Sequence, residues 1–409
     1  MFNVSKFSLI LAWVTSLGAP IFIFFEIYTI PPSNIFAILG VVIGVLYYFK
    51  KGNFVVKKEH VSILFYLILI LLVISIFKTM DIASQDALYL FEKYFLFILI
   101  YLVSINLLDD TSMDMTRRLL IIVGGVLGLI AVYQSVTVYI PHGVNAAPHN
   151  FVGPFLRAGL GLDEKNFFAS TLVTISFITL GELFTTSKRS YKFILLLIYG
   201  LVIAGVIFTF SRGALISLIA SMLTFFYMLS YIRKRLRYVI SFLAALPVLF
   251  TILALTTDAF DLLIGRIINS TDDNQAISRL TQMEMAFDLF NPLTLITGFG
   301  LGNFKYLNGY YVMHNTFFAL WVELGLLALI IFVCIFIICF KRLFFLVKNG
   351  DENHRIIAAS IFACFVAFTI QGLTIDGSTR NTLYLLILMI SIYYFSAKSK
   401  LDAKVKNDI

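Results

Sequence analysis

Residue types that bind anions or transfer protons are concentrated in one polar segment between two apolar stretches. In chain order these residues are Arg279, Gly300, Gly302, Asn303, Lys305, His314 and Asn315. Arginine can hold a phosphate through two parallel hydrogen bonds, and glycine lets backbone amides approach a phosphate closely. Histidine titrates near neutrality and can act as a general base. The segment therefore predicts a site that binds an anionic group and removes a proton.

A second set of polar residues interrupts the apolar sequence earlier in the chain. Arg212 lies in the short connection Thr209–Ala214 between two apolar runs, and Arg157, Lys165 and Asn166 precede another run. An arginine at the edge of a membrane is costly unless it is paired. We expect Arg212 to bind an anion rather than to serve only as an interfacial anchor. Arg157 and Lys165 would add positive charge, and Asn166 either caps the following helix or contacts the substrate.

These features also have purely structural interpretations. Apolar residues around Arg279 recur at three- and four-residue spacing, which is typical of an amphipathic interfacial helix, and Ser278 could be its N-cap. The glycines also fit a tight re-entrant turn, and His314 fits a polar helix end. The three cysteines lie in apolar runs and the histidines form no close-spaced pair, so we predict neither a disulfide framework nor a metal site.

The amino-acid composition is typical of a protein that lies in a lipid bilayer rather than in water. Of 409 residues, 60% are hydrophobic and 13% are charged, whereas a soluble domain carries about a quarter charged residues. The chain is therefore predicted to be an integral membrane protein. Its net charge of +8 is explained by anionic lipid headgroups and requires no nucleic acid.

About twelve apolar stretches are long enough, or nearly so, to cross a bilayer. They lie near 9–30, 35–49, 61–78, 87–108, 118–139, 166–184, 193–210, 214–232, 238–256, 315–340, 356–374 and 382–396. Backbone exposed to lipid must satisfy its own hydrogen bonds, and runs of this length do so as helices. We predict an all-α polytopic fold, with a single membrane domain over residues 1–409. Loops 140–165 and 257–314 would form an outer cap that contains the amphipathic helix.

The distribution of Lys and Arg predicts the orientation. With the N-terminus inside, most of the 31 Lys and Arg residues fall in loops on one side of the membrane. Positive loops stay in the cytoplasm, so both termini are predicted to be cytoplasmic. The candidate site residues then face the outside.

Four segments, in this order, resemble the O-antigen ligase and O-antigen polymerase superfamily of bacterial membrane glycosyltransferases. They are Arg157–Phe168, Ser211–Ala214, Ser278–Phe304 and His314–Gly325. The resemblance covers roughly residues 150 to 325, and the predicted twelve spans with a long outer loop after the ninth also agree with this family. Each segment alone is weak, and the ordered set is more specific.

The resemblance implies transfer of a glycan from undecaprenyl diphosphate to a sugar hydroxyl at the outer face of the bacterial cytoplasmic (inner) membrane. It implies that His314 is the base and that Arg212 and Arg279 hold the diphosphate. The other candidates would contact substrate, namely Arg157, Lys165, Asn166, Gly300, Gly302, Asn303, Lys305 and Asn315. No cofactor or metal is expected, because arginines can stabilise the leaving diphosphate.

The superfamily leaves the acceptor open. Polymerases extend another lipid-linked repeat unit, with a chain-length regulator as a candidate partner, and ligases use lipid A-core. The first glycine after His314 is Gly325, which departs from the spacing associated with ligases and favours a polymerase. A transporter or flippase is a less favoured alternative because no repeated halves are visible. A scaffolding protein would leave the outer arginines and His314 unexplained.

Overall fold

The computed structural model describes residues 2–17, 32–51, 59–79, 84–137, 151–152, 155–156, 158, 165–235, 274–307, 313–375 and 381–407. Within these ranges the chain is helical apart from connections and one two-residue hairpin, β1 (Phe151–Val152) with β2 (Phe155–Leu156). The predicted all-α membrane fold is confirmed.

The helices are numbered in chain order. The first eight are α1 (Phe2–Leu17), α2 (Pro32–Lys51), α3 (His60–Thr79), α4 (Ser84–Leu107), α5 (Asp110–Thr137), α6 (Lys165–Thr185), α7 (Arg189–Phe208) and α8 (Arg212–Arg233). The others are α9 (Asn274–Leu289), α10 (Pro292–Thr297), α11 (Phe304–Leu307), α12 (Thr316–Leu324), α13 (Leu326–Asn349), α14 (Glu352–Gly372) and α15 (Asn381–Asn407). Helix α14 packs against α6 and α8, and α7 packs between α5 and α6.

Nine of the described helices are long and apolar enough to cross a membrane. The predicted span at 238–256 and the second half of the span at 9–30 lie outside the described residues, as do most of the predicted cap loop 140–165 and residues 257–273 and 308–312 of the other cap loop. The remaining predicted spans coincide with helices, except for one. The twelve-span count therefore stays a prediction.

The exception is the apolar run 315–340, which was predicted as one continuous span. The helix breaks at Gly325, where φ is 91° and ψ is 172°, and the two parts are α12 and α13. This backbone region is essentially restricted to glycine. The run is therefore a short helix followed by a long one, and the prediction of a single span was wrong.

The predicted amphipathic helix exists, with different bounds. It begins at Asn274, so Ser278 lies inside the helix and the prediction of an N-cap there was wrong. It ends at Leu289, and Asn291 caps the next helix, with Pro292 in its first turn. Asn–Pro is thus the boundary between two helices, because proline supplies no amide hydrogen and fits the first helical position.

Two buried ion pairs lie inside the described part of the bundle. Arg117 on α5 donates to Glu182 on α6 over 2.8 Å, and the two side chains are 5% and 7% exposed. Glu59 and Arg342 form a second buried pair, which Tyr101 and Ser391 extend by hydrogen bonds. Pairing is what makes such charges tolerable away from water.

Candidate functional site

Arg212 is held by a tight reversal between two membrane helices. Helix α7 ends at Phe208, and Arg212 is already the first residue of α8 and is half-buried. Phe210, inside the reversal, is 1% exposed and has φ of 50°, a region that non-glycine residues adopt at a cost of about 1–2 kcal/mol. The reversal places the guanidinium at a helix N-terminus, where backbone amides and the helix dipole also favour an anion.

Residues at the start of α6 and just before it contact this reversal. Because α6 begins at Lys165, Asn166 lies inside the helix, and the prediction that it caps this helix was wrong. Ser211 Oγ donates to Asn166 Oδ1 over 2.8 Å, and the amide of Ala158 donates to the carbonyl of Phe208 over 2.9 Å. Lys165 begins α6 and is buried. The structure thus brings Lys165 and Asn166 to the helix end that carries Arg212. Arg157 lies outside the described residues.

The last residues of α14 and the turn that follows it, residues 371–375 (here called the turn 371–375), pack against the first turns of α8. A Cβ atom at Gly213 would lie 2.7 Å from Thr374 Oγ1, so the two segments approach as closely as glycine permits. Gln371, 3% exposed, donates from Nε2 to Ser217 Oγ over 2.7 Å. The position of Arg212 is therefore tied to this turn.

The same turn holds the segment of His314. Asn315 caps α12 by accepting from the amides of Phe317 and Phe318 at 3.0 Å each, and its Nδ2 donates to the carbonyl of Leu373 at 3.3 Å. Thr316 Oγ1 donates to the carbonyl of Ile375 at 2.8 Å. His314 is exposed directly before this cap. Residues 371–375 therefore lie between the helix of Arg212 and the segment of His314.

The helix that contains Arg279 packs along α12 through aromatic side chains. Phe287 lies 5.3 Å from Phe318, and Phe290 lies 5.3 Å from Trp321, measured between ring centroids. These contacts join the C-terminal end of α9, and the residue that follows it, to α12.

Met283 on α9 packs against a small apolar cluster that includes Met313, the residue before His314, and Val322 on α12. The side chain of Arg279 lies outside the described residues. Its place beside Arg212 and His314 stays a prediction.

The glycine-rich loop is engaged in contacts with the protein itself. Gly298, Gly300 and Gly302 have φ of 70°, 100° and 70°. The amide of Gly300 donates to the carbonyl of Glu323 at 3.0 Å, and buried Asn303 donates from Nδ2 to the carbonyl of Phe299 at 2.9 Å. The tight-turn interpretation accounts for the glycines, while a substrate role for Gly300, Gly302 and Asn303 stays a prediction.

Two further expectations concern Lys305 and metals. Lys305 is half-buried, and its ammonium lies 4.9 Å from the ring centroid of Tyr306. In the part of the chain that the structure describes, no three His, Cys, Asp or Glu side chains come together to hold a metal ion. Metal independence stays a prediction.

Sequence reasoning missed the residues that connect these segments. No sequence pattern points to a role for Gln371, Thr374 or Ser75. Under the predicted orientation Lys78 falls on the outer side of the membrane, and this was a usable signal because cations are depleted there. The contacts of Gln371 and Thr374 had no local signal, because both residues lie at the end of an ordinary apolar run.

Comparison with known proteins gives one match. Residues 194–333, about a third of the chain, match the model of a family described as O-antigen ligase. The matched part contains Arg212, Arg279 and His314, whereas Arg157–Phe168 precede it. No curated protein matches the chain.

Proposed function

We propose that this chain, a bacterial membrane protein of the O-antigen ligase and polymerase superfamily, transfers a glycan from a polyprenyl diphosphate to a sugar hydroxyl. The donor would be an undecaprenyl-diphosphate-linked oligosaccharide. The reaction would take place at the outer face of the cytoplasmic membrane, with both termini in the cytoplasm. Membrane lipids surround the helices, and neither nucleic acid nor a cofactor takes part.

In the proposed reaction His314 accepts the proton of the acceptor hydroxyl. The acceptor oxygen forms a bond to the anomeric carbon of the donor, and the bond from that carbon to the diphosphate oxygen breaks. The released lipid diphosphate carries the displaced electron pair. Arg212 and Arg279 stabilise this negative charge, and the N-terminus of α8 adds its dipole.

One observation carries the proposal. The turn 371–375 contacts the helix of Arg212 on one side and the capped segment of His314 on the other. The proposed anion-binding arginine and the proposed base come from distant parts of the sequence, and both contact this one connection. Such positioning is what a transfer between a diphosphate donor and a hydroxyl acceptor requires.

Two candidate reactions differ in the acceptor of the glycan. We favour polymerisation of surface polysaccharide repeat units, with a chain-length regulator as partner, because the spacing from His314 to Gly325 departs from that associated with ligases. The second candidate is ligation to lipid A-core, which the description of the matching family favours. Transfer assays with a lipid-linked repeat unit and with lipid A-core as competing acceptors separate the two.

The mechanism is tested by donor binding and glycan transfer with purified variants. His314→Ala should lower turnover by about two to four orders of magnitude and leave donor binding intact, as expected for loss of a general base. Arg212→Ala and Arg279→Ala should weaken both donor binding and turnover, because the diphosphate is bound before reaction and gains charge during it. Lysine at either position should restore activity only in part, since it lacks the planar fork.

A matched control is available at the opposite end of α8. Arg235, two residues after the end of that helix, is exposed, and Arg235→Ala should bind and transfer like the parent. Normal transfer by His314→Ala would show that His314 is only a polar residue at the end of a helix and not the base. Normal behaviour of both Arg212→Ala and Arg279→Ala would favour transport over transfer.

A further inference from the structure

We infer that Ser75 and Lys78, on α3, are positioning residues that hold the broken helix α12–α13 in the geometry that presents His314. The inference rests on the proposed function. Neither residue lies in the polar segments from which the site was predicted. Both lie near the C-terminal end of α3, three positions apart, and such residues share one face of a helix.

Ser75 joins the glycine-rich loop to the last turn of α12. Ser75 is 2% exposed. Its hydroxyl oxygen accepts a hydrogen bond from the amide of Leu301 at 2.9 Å. The same hydroxyl donates to the carbonyl of Glu323, in the last turn of α12, at 3.3 Å. Inside a membrane protein such amides and carbonyls need a partner from the protein.

Lys78 binds the C-terminal end of the short helix α10. Its ammonium donates to the carbonyl of Thr297 at 3.2 Å and to that of Gly298 at 3.3 Å, at the C-terminal end of α10. A cation is favourable at that end because the unpaired carbonyls carry partial negative charge. One face of α3 therefore binds the ends of both α10 and α12.

The two helix ends meet backbone to backbone. A Cβ atom at Gly298 would lie 2.5 Å from the carbonyl oxygen of Glu323, and one at Gly325 would lie 2.1 Å from the carbonyl oxygen of Ile296. Contacts this close transmit a displacement of α10 to α12. Since α12 begins two residues after His314, α3 sets where the proposed base lies.

The test compares Ser75→Ala and Lys78→Met with Ser176→Ala. Ser176 is a matched control because it is fully buried and its hydroxyl donates only within its own helix, to the carbonyl of Val173 at 2.7 Å. We expect kcat to fall about ten- to hundredfold in the first two variants, since small misplacements of catalytic groups cost up to about that much. The KM for the donor should change less than about twofold, and Lys78→Arg and Ser75→Thr should recover kcat.

A second measurement does not depend on turnover. His314 is exposed, so a His314→Cys protein should react with a membrane-impermeant maleimide, and adding Ser75→Ala should change the rate. Unchanged labelling and unchanged kcat in Ser75→Ala and Lys78→Met would overturn the inference while leaving the proposed function intact. An equal loss in Ser176→Ala, or no recovery in Lys78→Arg and Ser75→Thr, would also overturn it. If the parent itself transfers no glycan, the proposed function fails, and the kinetic part of the inference fails with it.

Discussion

Substituting Gly325 by alanine tests the idea that the helix break positions the site. Gly325 has φ of 91° and ψ of 172°, and a side chain in that region costs about 1–3 kcal/mol. The added Cβ would lie 2.1 Å from the carbonyl oxygen of Ile296 and 2.6 Å from the carbonyl carbon of Thr297. Both contacts are with backbone, so relief requires α10 to move away from α12.

The expected loss can be bounded from these contacts. Moving α10 also strains the hydrogen bond from the amide of Gly300 to the carbonyl of Glu323, and such a bond contributes about 1 kcal/mol. A combined cost of at least about 2 kcal/mol follows. The protein can relieve this strain by displacing α12 and with it His314. If the whole cost of about 2 kcal/mol then raises the activation free energy, the transfer rate falls about thirtyfold, because 1.36 kcal/mol corresponds to a factor of ten.

The assay is glycan transfer in membranes at matched expression, together with thermal unfolding of the purified protein. Gly200→Ala is the control, because a Cβ at Gly200 in α7 would meet nothing within 4 Å, and alanine there gains about 1 kcal/mol of helix propensity. Gly325→Ala should lose activity or unfold earlier, whereas Gly200→Ala should transfer like the parent and unfold no earlier than it. Equal transfer and equal melting of the two variants would refute the reasoning.

Three further predictions concern the cap, the buried ion pair and metals. Asn315→Ala removes the hydrogen-bond acceptor for the amides of Phe317 and Phe318 and should lower the free energy of unfolding by about 1 kcal/mol. Asn315→Ser should keep most of the stability of the parent. Equal melting of the two variants would contradict the role of Asn315 as a cap. Glu182→Leu should lower stability by about 3–5 kcal/mol, because buried Arg117 loses its buried partner and keeps the half-exposed Asp114 at 3.4 Å. Adding Arg117→Leu should recover most of that loss, and no recovery would show that the pair itself stabilises the fold. Transfer should survive excess EDTA, and loss restored only by magnesium or manganese would overturn the arginine-based mechanism.

The sequence alone determined the fold class and most of the helices. A long apolar run has one stable form in lipid, since its backbone must bond to itself, so α3 to α8 and α13 to α15 could be read from composition and length. The short connection that holds Arg212 and the helix boundary at Asn291–Pro292 were also predictable. Both depend on a few neighbouring residues.

Only the tertiary structure decided the break at Gly325 and the neighbours of His314. The run 315–340 is apolar throughout, and the break exists because the loop from Gly298 to Gly302 docks there and takes up the carbonyls that it frees. The turn 371–375 beside Arg212 and the hydrogen bonds of Ser75 likewise join residues far apart in the chain. Apolar patterning reports which residues avoid water and carries no information about which distant backbone groups they meet, so these contacts had to be seen in three dimensions.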